Sequence, residues 1–287
     1  MIHKQEIMAM AVKYNLSANS IEKDYVLSWL LAGIFNSDNL NKKWIFKGGT
    51  CLKKCYFDEY RFSEDLDFTI VDSKHIDVNF LLTEFVKISA WIYEESGIEI
   101  PIDRIKFEQY ENPKGKISIE GKIAYKGPMQ RKGSNATIKL DLTNDEILVC
   151  KSDARSIYHH YSDVVACNKN PIYTYCIEEI MAEKLRALVE RMRPRDLFDI
   201  INIYFDTRWS LNQELVYDLL VKKCTFKQVE LPTWTLINSM SSKKDLITDW
   251  EDMLAHQITN LKPYSYYWDN LRLVFSWLYD ELRPRTS

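Results

Sequence analysis

Two short stretches hold residue types that handle phosphates and divalent cations: Lys47-Gly48-Gly49-Thr50 and Ser63-Glu64-Asp65-Leu66-Asp67. Glycines let a backbone come close to a phosphate, and amides at a turn or helix start can cradle its oxygens. Asp65 and Asp67 are one residue apart, so on a strand both carboxylates leave the same face. Hard cations that bridge to nucleotide phosphates prefer such oxygen ligands. Taken singly, a Gly-Gly-Thr is most often only a turn, and an Asp-x-Asp is often a solvated strand face. Their order and closeness within one supersecondary unit make the pair far more specific. Lys47, Lys53, Lys54 and Arg61 surround them, either as charge compensation for a triphosphate or as the solubilising charges of an exposed helix. Ser63 either bonds a phosphate or closes the loop ahead of Asp65.

These residues need particular elements to hold them. Trp44-Ile45-Phe46 reads as a buried strand ended by the glycines, and Cys51 to Phe57 as a short helix with Leu52 and Tyr56 on one face. Asp65 to Ile70 reads as a strand that turns Leu66, Phe68 and Ile70 inward. Upstream, Ile2 to Tyr14 predicts an amphipathic helix. Ser17 to Ser20 can cap a second helix over Ile21 to Phe35, whose opening Glu22-Lys23-Asp24 is either a dipole-suited first turn or a catalytic group. Val78 to Ser96 has the period of a core helix. Strands follow at Ile105 to Tyr110, Ile117 to Tyr125 and Ala136 to Leu142, with turn signals at Asn112-Pro113-Lys114-Gly115 and Lys126-Gly127-Pro128. Asp141 stands between Leu140 and Leu142. A carboxylate there is costly unless it is paired, binds a metal, or faces water from an edge strand. Ile172-Tyr173-Thr174 is a last short strand.

From Ile177 the period turns helical. Lys184 falls inside the stripe Ile177, Ile180, Met181, Leu185, Leu188 and Val189, where its charge needs a partner or ligand unless it snorkels out. Met192-Arg193-Pro194 breaks this helix and Arg195 to Phe205 resumes it. Asp196 and Asp199 share one face there, and Asp196 can also serve simply as a cap. Leu211 to Leu282 predicts helices rich in aromatics, which more often build a core than stack on RNA bases. The expected fold class is α+β in two lobes: residues 1–175 with a mixed β-sheet flanked by helices and the metal site, and residues 176–287 helical.

The 287 residues carry a net charge of −3 and a pI near 6.0, so no global basic field advertises nucleic acid, and any RNA contact must use a local patch. Six cysteines without Cys-x-x-Cys spacing predict reduced, buried thiols. The N-terminus lacks a basic-then-apolar leader and no apolar run approaches a membrane span, so the expectation is a cytoplasmic protein with no membrane partner.

The glycine pair, short helix and Asp-x-Asp resemble the signature of DNA-polymerase-β-type nucleotidyltransferases. Lys47-Gly48-Gly49-Thr50 with Arg61-Phe62-Ser63-Glu64-Asp65-Leu66-Asp67-Phe68 resembles, within that superfamily, the AbiEii/AbiGii toxin family. Glu178-Glu179-Ile180-Met181-Ala182-Glu183-Lys184-Leu185-Arg186-Ala187 and Arg193-Pro194-Arg195-Asp196-Leu197-Phe198-Asp199 are similar to that family's other two motifs. The resemblance implies an enzyme that transfers NMP from an NTP to an acceptor hydroxyl and releases pyrophosphate. It places Mg²⁺, as two ions, on Asp65, Asp67 and a third carboxylate, carried onto Asp141, which can also take the hydroxyl proton. It implies NTP phosphates on Gly48, Gly49 and Thr50, with Lys47 and Ser63 beside them. Lys184 becomes a phosphate contact, Arg195 stands where relatives often have lysine, and Lys184 and Asp196 close the cleft from the helical domain. The implied role is the toxin half of a toxin–antitoxin or phage-defence pair, with the tRNA 3′ end as acceptor, translation as the target, and an antitoxin encoded nearby. Nucleotidylation of a protein or small molecule, or a non-catalytic nucleotide-binding regulator, are the other classes; the intact acidic pair speaks against the last.

Overall fold

The computed structural model describes residues 1–111, 115–130, 136–258 and 260–280. The turn expected at Asn112-Pro113-Lys114 and the chain after residue 280 lie outside them. The chain divides into two compact units. One comprises Met1–Glu146 and Ser152–Tyr175; the other comprises Ile147–Lys151 and the residues from Cys176 onward.

The first unit opens with helices α1 (Lys4–Tyr14) and α2 (Ala18–Asn36), and the Ser17 side chain caps α2 by accepting from the Ser20 amide. Strand β1 (Trp44–Lys47) runs directly into α3 (Gly48–Cys51), which continues as a π-helical turn over Leu52–Tyr56. The glycines were expected to form a turn ahead of a separate helix. They are instead its first residues, because Gly48 takes a φ of +81° that bends the strand into the helix without a linker. Then come β2 (Asp65–Ile70), α4 (Val78–Ser96), β3 (Ile105–Glu111), β4 (Ile117–Tyr125), β5 (Ala136–Thr143), β6 (Asp153–Arg155), α5 (Val164–Cys167) and β7 (Ile172–Thr174).

The strands form a seven-stranded mixed sheet in the order β3-β4-β5-β2-β1-β7-β6. β2 lies antiparallel to β1 and parallel to β5, and β1 lies parallel to β7. Residues opposite one another across a pair share a face, so the register sorts the side chains into two sets. Phe46, Phe68 and Leu142 point one way, into a core with Trp44, Phe35 and Phe85. There Phe68 lies 5.3 Å from the Trp44 ring, 5.3 Å from Phe46 and 6.3 Å from Phe35. The opposite face takes the charged residues.

The second unit is helical: α6 (Ile177–Arg191), α7 (Pro194–Phe205), α8 (Gln213–Lys227), α9 (Trp234–Ser239), α10 (Lys243–Thr248), α11 (Trp250–Leu254) and α12 (Tyr264–Asp280). α6 ends on Met192 at φ 43°, and Pro194 starts α7 at its first turn, where a missing N–H costs nothing. Of the aromatics here, Trp250, Tyr267 and Trp268 are buried and build core, while Tyr266 is exposed. Among the described residues no helix is long and apolar enough to cross a membrane.

Candidate active site

The charged face of the sheet holds a row that crosses four strands. Lys47 on β1 is opposite Asp67 on β2, Asp67 is opposite Asp141 on β5, and Asp141 is opposite Glu120 on β4. Asp65 sits two residues back along β2, opposite Lys139. Asp67 and Asp141 are therefore side-by-side carboxylates on a parallel pair, which is costly unless a cation answers them. β5 is an interior strand, so Asp141 is not an edge-strand acid. It is partly exposed and its Oδ2 lies 3.2 Å from Lys139 Nζ, which also reaches Glu120 Oε2 at 3.1 Å. The three aspartates do not close into a tight trio. Among the described residues, the only three thiol, imidazole or carboxylate groups whose ligand atoms all lie within 4.8 Å of one another are Cys150, Cys176 and Glu179.

The glycine pair is fixed by close approach. A Cβ on Gly48 would stand 2.3 Å from Asp67 Oδ2, and a Cβ on Gly49 would stand 2.3 Å from Arg61 Nη2. The Asp67 carboxylate and the buried Arg61 guanidinium thus press on the start of α3 from two sides. Thr50 is fully buried, and its hydroxyl donates to the Asp65 carbonyl at 2.5 Å, so it ties the helix start to β2. Lys47 is buried with its ammonium 5.8 Å from the Tyr175 ring centre. Ser63 is half-buried in the loop before β2. An oxygen-only donor set beside a Cα that carries no side chain suits Mg²⁺ with a phosphate close by.

Gly48→Ala is expected to cut turnover roughly 100-fold, the scale of an ångström misplacement of a reacting group. The new methyl must push Asp67 aside, and an alanine strains at this φ. Incorporation of labelled nucleotide at saturating NTP checks it, alongside circular dichroism to show that the fold is kept.

Beneath the turn lies a brace that the sequence offered only as a charged first turn or a catalytic triplet. Asp24 of α2 is buried, with Oδ2 2.8 Å from Lys54 Nζ and Oδ1 3.7 Å from Lys53 Nζ. Lys54 also donates to the Asp24 carbonyl at 3.0 Å, and the Tyr161 hydroxyl donates to Asp24 Oδ2 at 3.1 Å. Burial alone would raise the Asp24 carboxyl; the charges of Lys53 and Lys54 and the bonds from Lys54 and Tyr161 overcome it and hold the group down at about 2. Burial pushes Lys53 down, as does its neighbour Lys54, against the pull of Asp24. Lys23 pairs with Glu64 at 2.8 Å, which anchors the loop ahead of β2 to the same helix. So α2 grips both the turn after the glycines and the loop ahead of β2.

In the second unit, Lys184 is buried and shared between Asp199 Oδ2 at 2.8 Å and Asp196 Oδ1 at 3.1 Å. Arg191 closes on Asp196 with two bonds, Nε to Oδ2 at 2.8 Å and Nη2 to Oδ1 at 2.9 Å. Burial would raise Asp196, and the Lys184 charge with the Arg191 bonds outweighs it, so the carboxyl lies below its ordinary value. The stripe lysine thus meets its need for a partner within its own unit. Asp196 is an ion-pair centre in the first turn of α7, more than a cap. Arg195, the neighbouring residue, is half-buried. Sequence reasoning missed the Arg61–Gly49 contact and the Lys139–Glu120 pair. An arginine two residues before Ser63 offered no periodic signal, and the Lys139–Glu120 pair depends on strand register.

Over residues 29–279 the chain matches the family described as nucleotidyl transferase AbiEii toxin, Type IV TA system. No sequence match is found among curated proteins. In fold, the chain is similar to MenT4, a nucleotidyltransferase toxin from Mycobacterium tuberculosis H37Rv, with a TM-score of 0.67 and 16% identity over 99% of this chain and 93% of that one. It is also similar to JHP933 from Helicobacter pylori, with a TM-score of 0.58 and 16% identity over 93% of this chain and 94% of that one. With the site geometry above, the family match decides the assignment: the chain belongs to the AbiEii nucleotidyltransferase toxins of type IV toxin–antitoxin systems, and it is a nucleotidyltransferase enzyme whose family implies an NTP substrate and a cognate antitoxin.

Proposed function

We propose that this toxin transfers NMP from an NTP to the 3′ hydroxyl of a tRNA in the cytoplasm and so stops translation. The observation that carries the chemistry is the register that sets Asp67 beside Asp141 with the bare Cα of Gly48 against the Asp67 carboxylate. Asp67 and Asp141, with Asp65 one step along the strand, are the groups that would hold Mg²⁺, which when bound neutralises the triphosphate and the charge that develops on it. The backbone at Gly48 and Gly49 receives the β- and γ-phosphates, with the Arg61 guanidinium against Gly49 and Lys47 just ahead of the turn. Asp141 accepts the proton of the acceptor hydroxyl. The oxygen attacks the α-phosphorus, the bond to the bridging oxygen breaks, and pyrophosphate leaves. Positioning and a fixed field supply most of the rate. The ion pairs that engage Lys184 support a structural role for it in place of the phosphate contact the family resemblance implies.

The acceptor rests on the family's toxin role and is tested directly. Purified protein with total tRNA, Mg²⁺ and each α-labelled NTP in turn should label RNA at its 3′ end, and periodate-blocked tRNA should not be labelled. Label that survives RNase and is lost to protease would move the acceptor to protein and overturn the tRNA reading.

A further inference from the structure

The second unit gathers three groups that are far apart in sequence. Cys150 lies in the 147–151 segment, Cys176 immediately precedes α6, and Glu179 stands in that helix's first turn. The two sulfurs and a Glu179 carboxylate oxygen all lie within 4.8 Å of one another, with both thiols half-buried and Glu179 fully buried. The carboxylate is held from several directions. Its Oε1 accepts the Val149 amide and pairs with Lys223 Nζ, each at 3.0 Å, and its Oε2 accepts the Cys150 amide at 3.0 Å. Oε2 therefore keeps a lone pair, on a group that cannot swing away. Lys223 is itself fully buried and donates to the Ile147 carbonyl at 3.0 Å.

We propose that Cys150, Cys176 and Glu179 form a binding site for one thiophilic divalent cation, such as zinc. Two sulfurs and one oxygen supply three corners of a tetrahedron, and the half-exposed thiols leave the fourth to water. Entry of one dication in place of two thiol protons leaves the charge of the cluster unchanged, so the buried Glu179–Lys223 pair stays as it is. The donor set also separates this site from the sheet. Sulfur selects soft and borderline metals, and the all-oxygen row at Asp67 selects hard ones. A disulfide between the same cysteines would have to draw the sulfurs to about 2 Å and would leave Oε2 without a use. A bound cation would clamp the 147–151 segment to the start of α6.

The test uses the full-length protein, reduced and stripped of metal, titrated with Cd²⁺ as a spectroscopic probe and with Zn²⁺. One equivalent of Cd²⁺ should produce a sulfur-to-metal charge-transfer band in the ultraviolet. Cys150→Ser and Cys176→Ser should each weaken binding by at least about tenfold. Asp67→Asn should bind Cd²⁺ as the native chain does, which keeps this site independent of the catalytic reading. Zn²⁺ should raise the melting temperature of the native chain and not that of Cys150→Ser. Absence of the band, or a band undiminished in Cys150→Ser, overturns the proposal. So does a Cys150–Cys176 disulfide found by mass spectrometry in protein whose thiols were alkylated at lysis.

Discussion

Asp67→Asn should lower nucleotidyl transfer by roughly 1,000-fold or more, at the upper end of what one well-placed electrostatic group supplies. Asparagine keeps the shape, so the space beside Gly48 stays filled and only the charge goes. That charge stands opposite Asp141 on β5. Neutralising Asp67 relieves its like-charge contact with Asp141 but also removes the charge opposite the buried Lys47; the two effects oppose each other, so the melting temperature should change little. A residue that matters through folding would show the reverse, with stability and activity falling together. The measurement is incorporation of α-labelled NTP at saturating nucleotide and Mg²⁺, with a thermal melt of the same preparation. Activity that persists in a folded Asp67→Asn protein would sink the catalytic assignment of the whole row.

Asp24→Asn should carry the largest stability cost. It removes the buried carboxylate that pairs with both Lys53 and Lys54, which are themselves buried. Breaking a buried pair by deleting one partner costs about 3–5 kcal/mol, because the other charge stays behind without compensation. In a domain of this size that is a fall of roughly 10 °C in melting temperature. The native protein should also show a defined acid limit. The folded Asp24 carboxyl titrates at about 2, below its ordinary value of 3.8. A depressed carboxyl contributes stability that is complete above the unfolded value and fades as pH falls through the folded one. Asp24 therefore adds to acid unfolding between about pH 4 and pH 2, and a melt series across that window should be flatter in Asp24→Asn. Equal slopes would mean that the brace does not hold the fold. Activity should fall only as far as the folded fraction does, since Asp24 acts on the helix after the glycines through its ion pairs with Lys53 and Lys54.

Much of this was legible in the chain. The alternation at Asp65 to Ile70 fixed which face Leu66, Phe68 and Ile70 bury, and β2 begins and ends at those residues. The period of Val78 to Ser96 and the β-rich run Ile117 to Tyr125 also became elements with those bounds. The glycines were legible as a point of close approach. What approaches them was not, because Asp67 reaches Gly48 through an antiparallel register and Arg61 reaches Gly49 from a loop. Asp141 was found as an odd acid between leucines. Lys139, two residues before it on the same strand face, was within reach of the same alternation, but Glu120 was not, because it meets Lys139 and Asp141 only when β4 and β5 are aligned. Lys184 illustrates the other limit. A lysine in an apolar stripe announces that something must answer its charge, and two aspartates across a helix break answer it as well as a phosphate would. Cys150 and Cys176 were expected to be ordinary reduced thiols, since nothing in their spacing revealed that the chain returns to one place.

The parallel pairing of β2 with β5 also sets when this toxin can exist. Asp67 and Asp141 are more than seventy residues apart, and the β3–β4 hairpin must be laid down between them before their strands can meet. Closing so long a loop is slow, and nothing local can substitute for it. A nascent chain on the ribosome therefore carries the glycine bend and the first acidic strand for some time with no partner carboxylate. Any product that terminates ahead of β5 lacks the pair altogether, so this toxin is assembled only after much of its own synthesis is done.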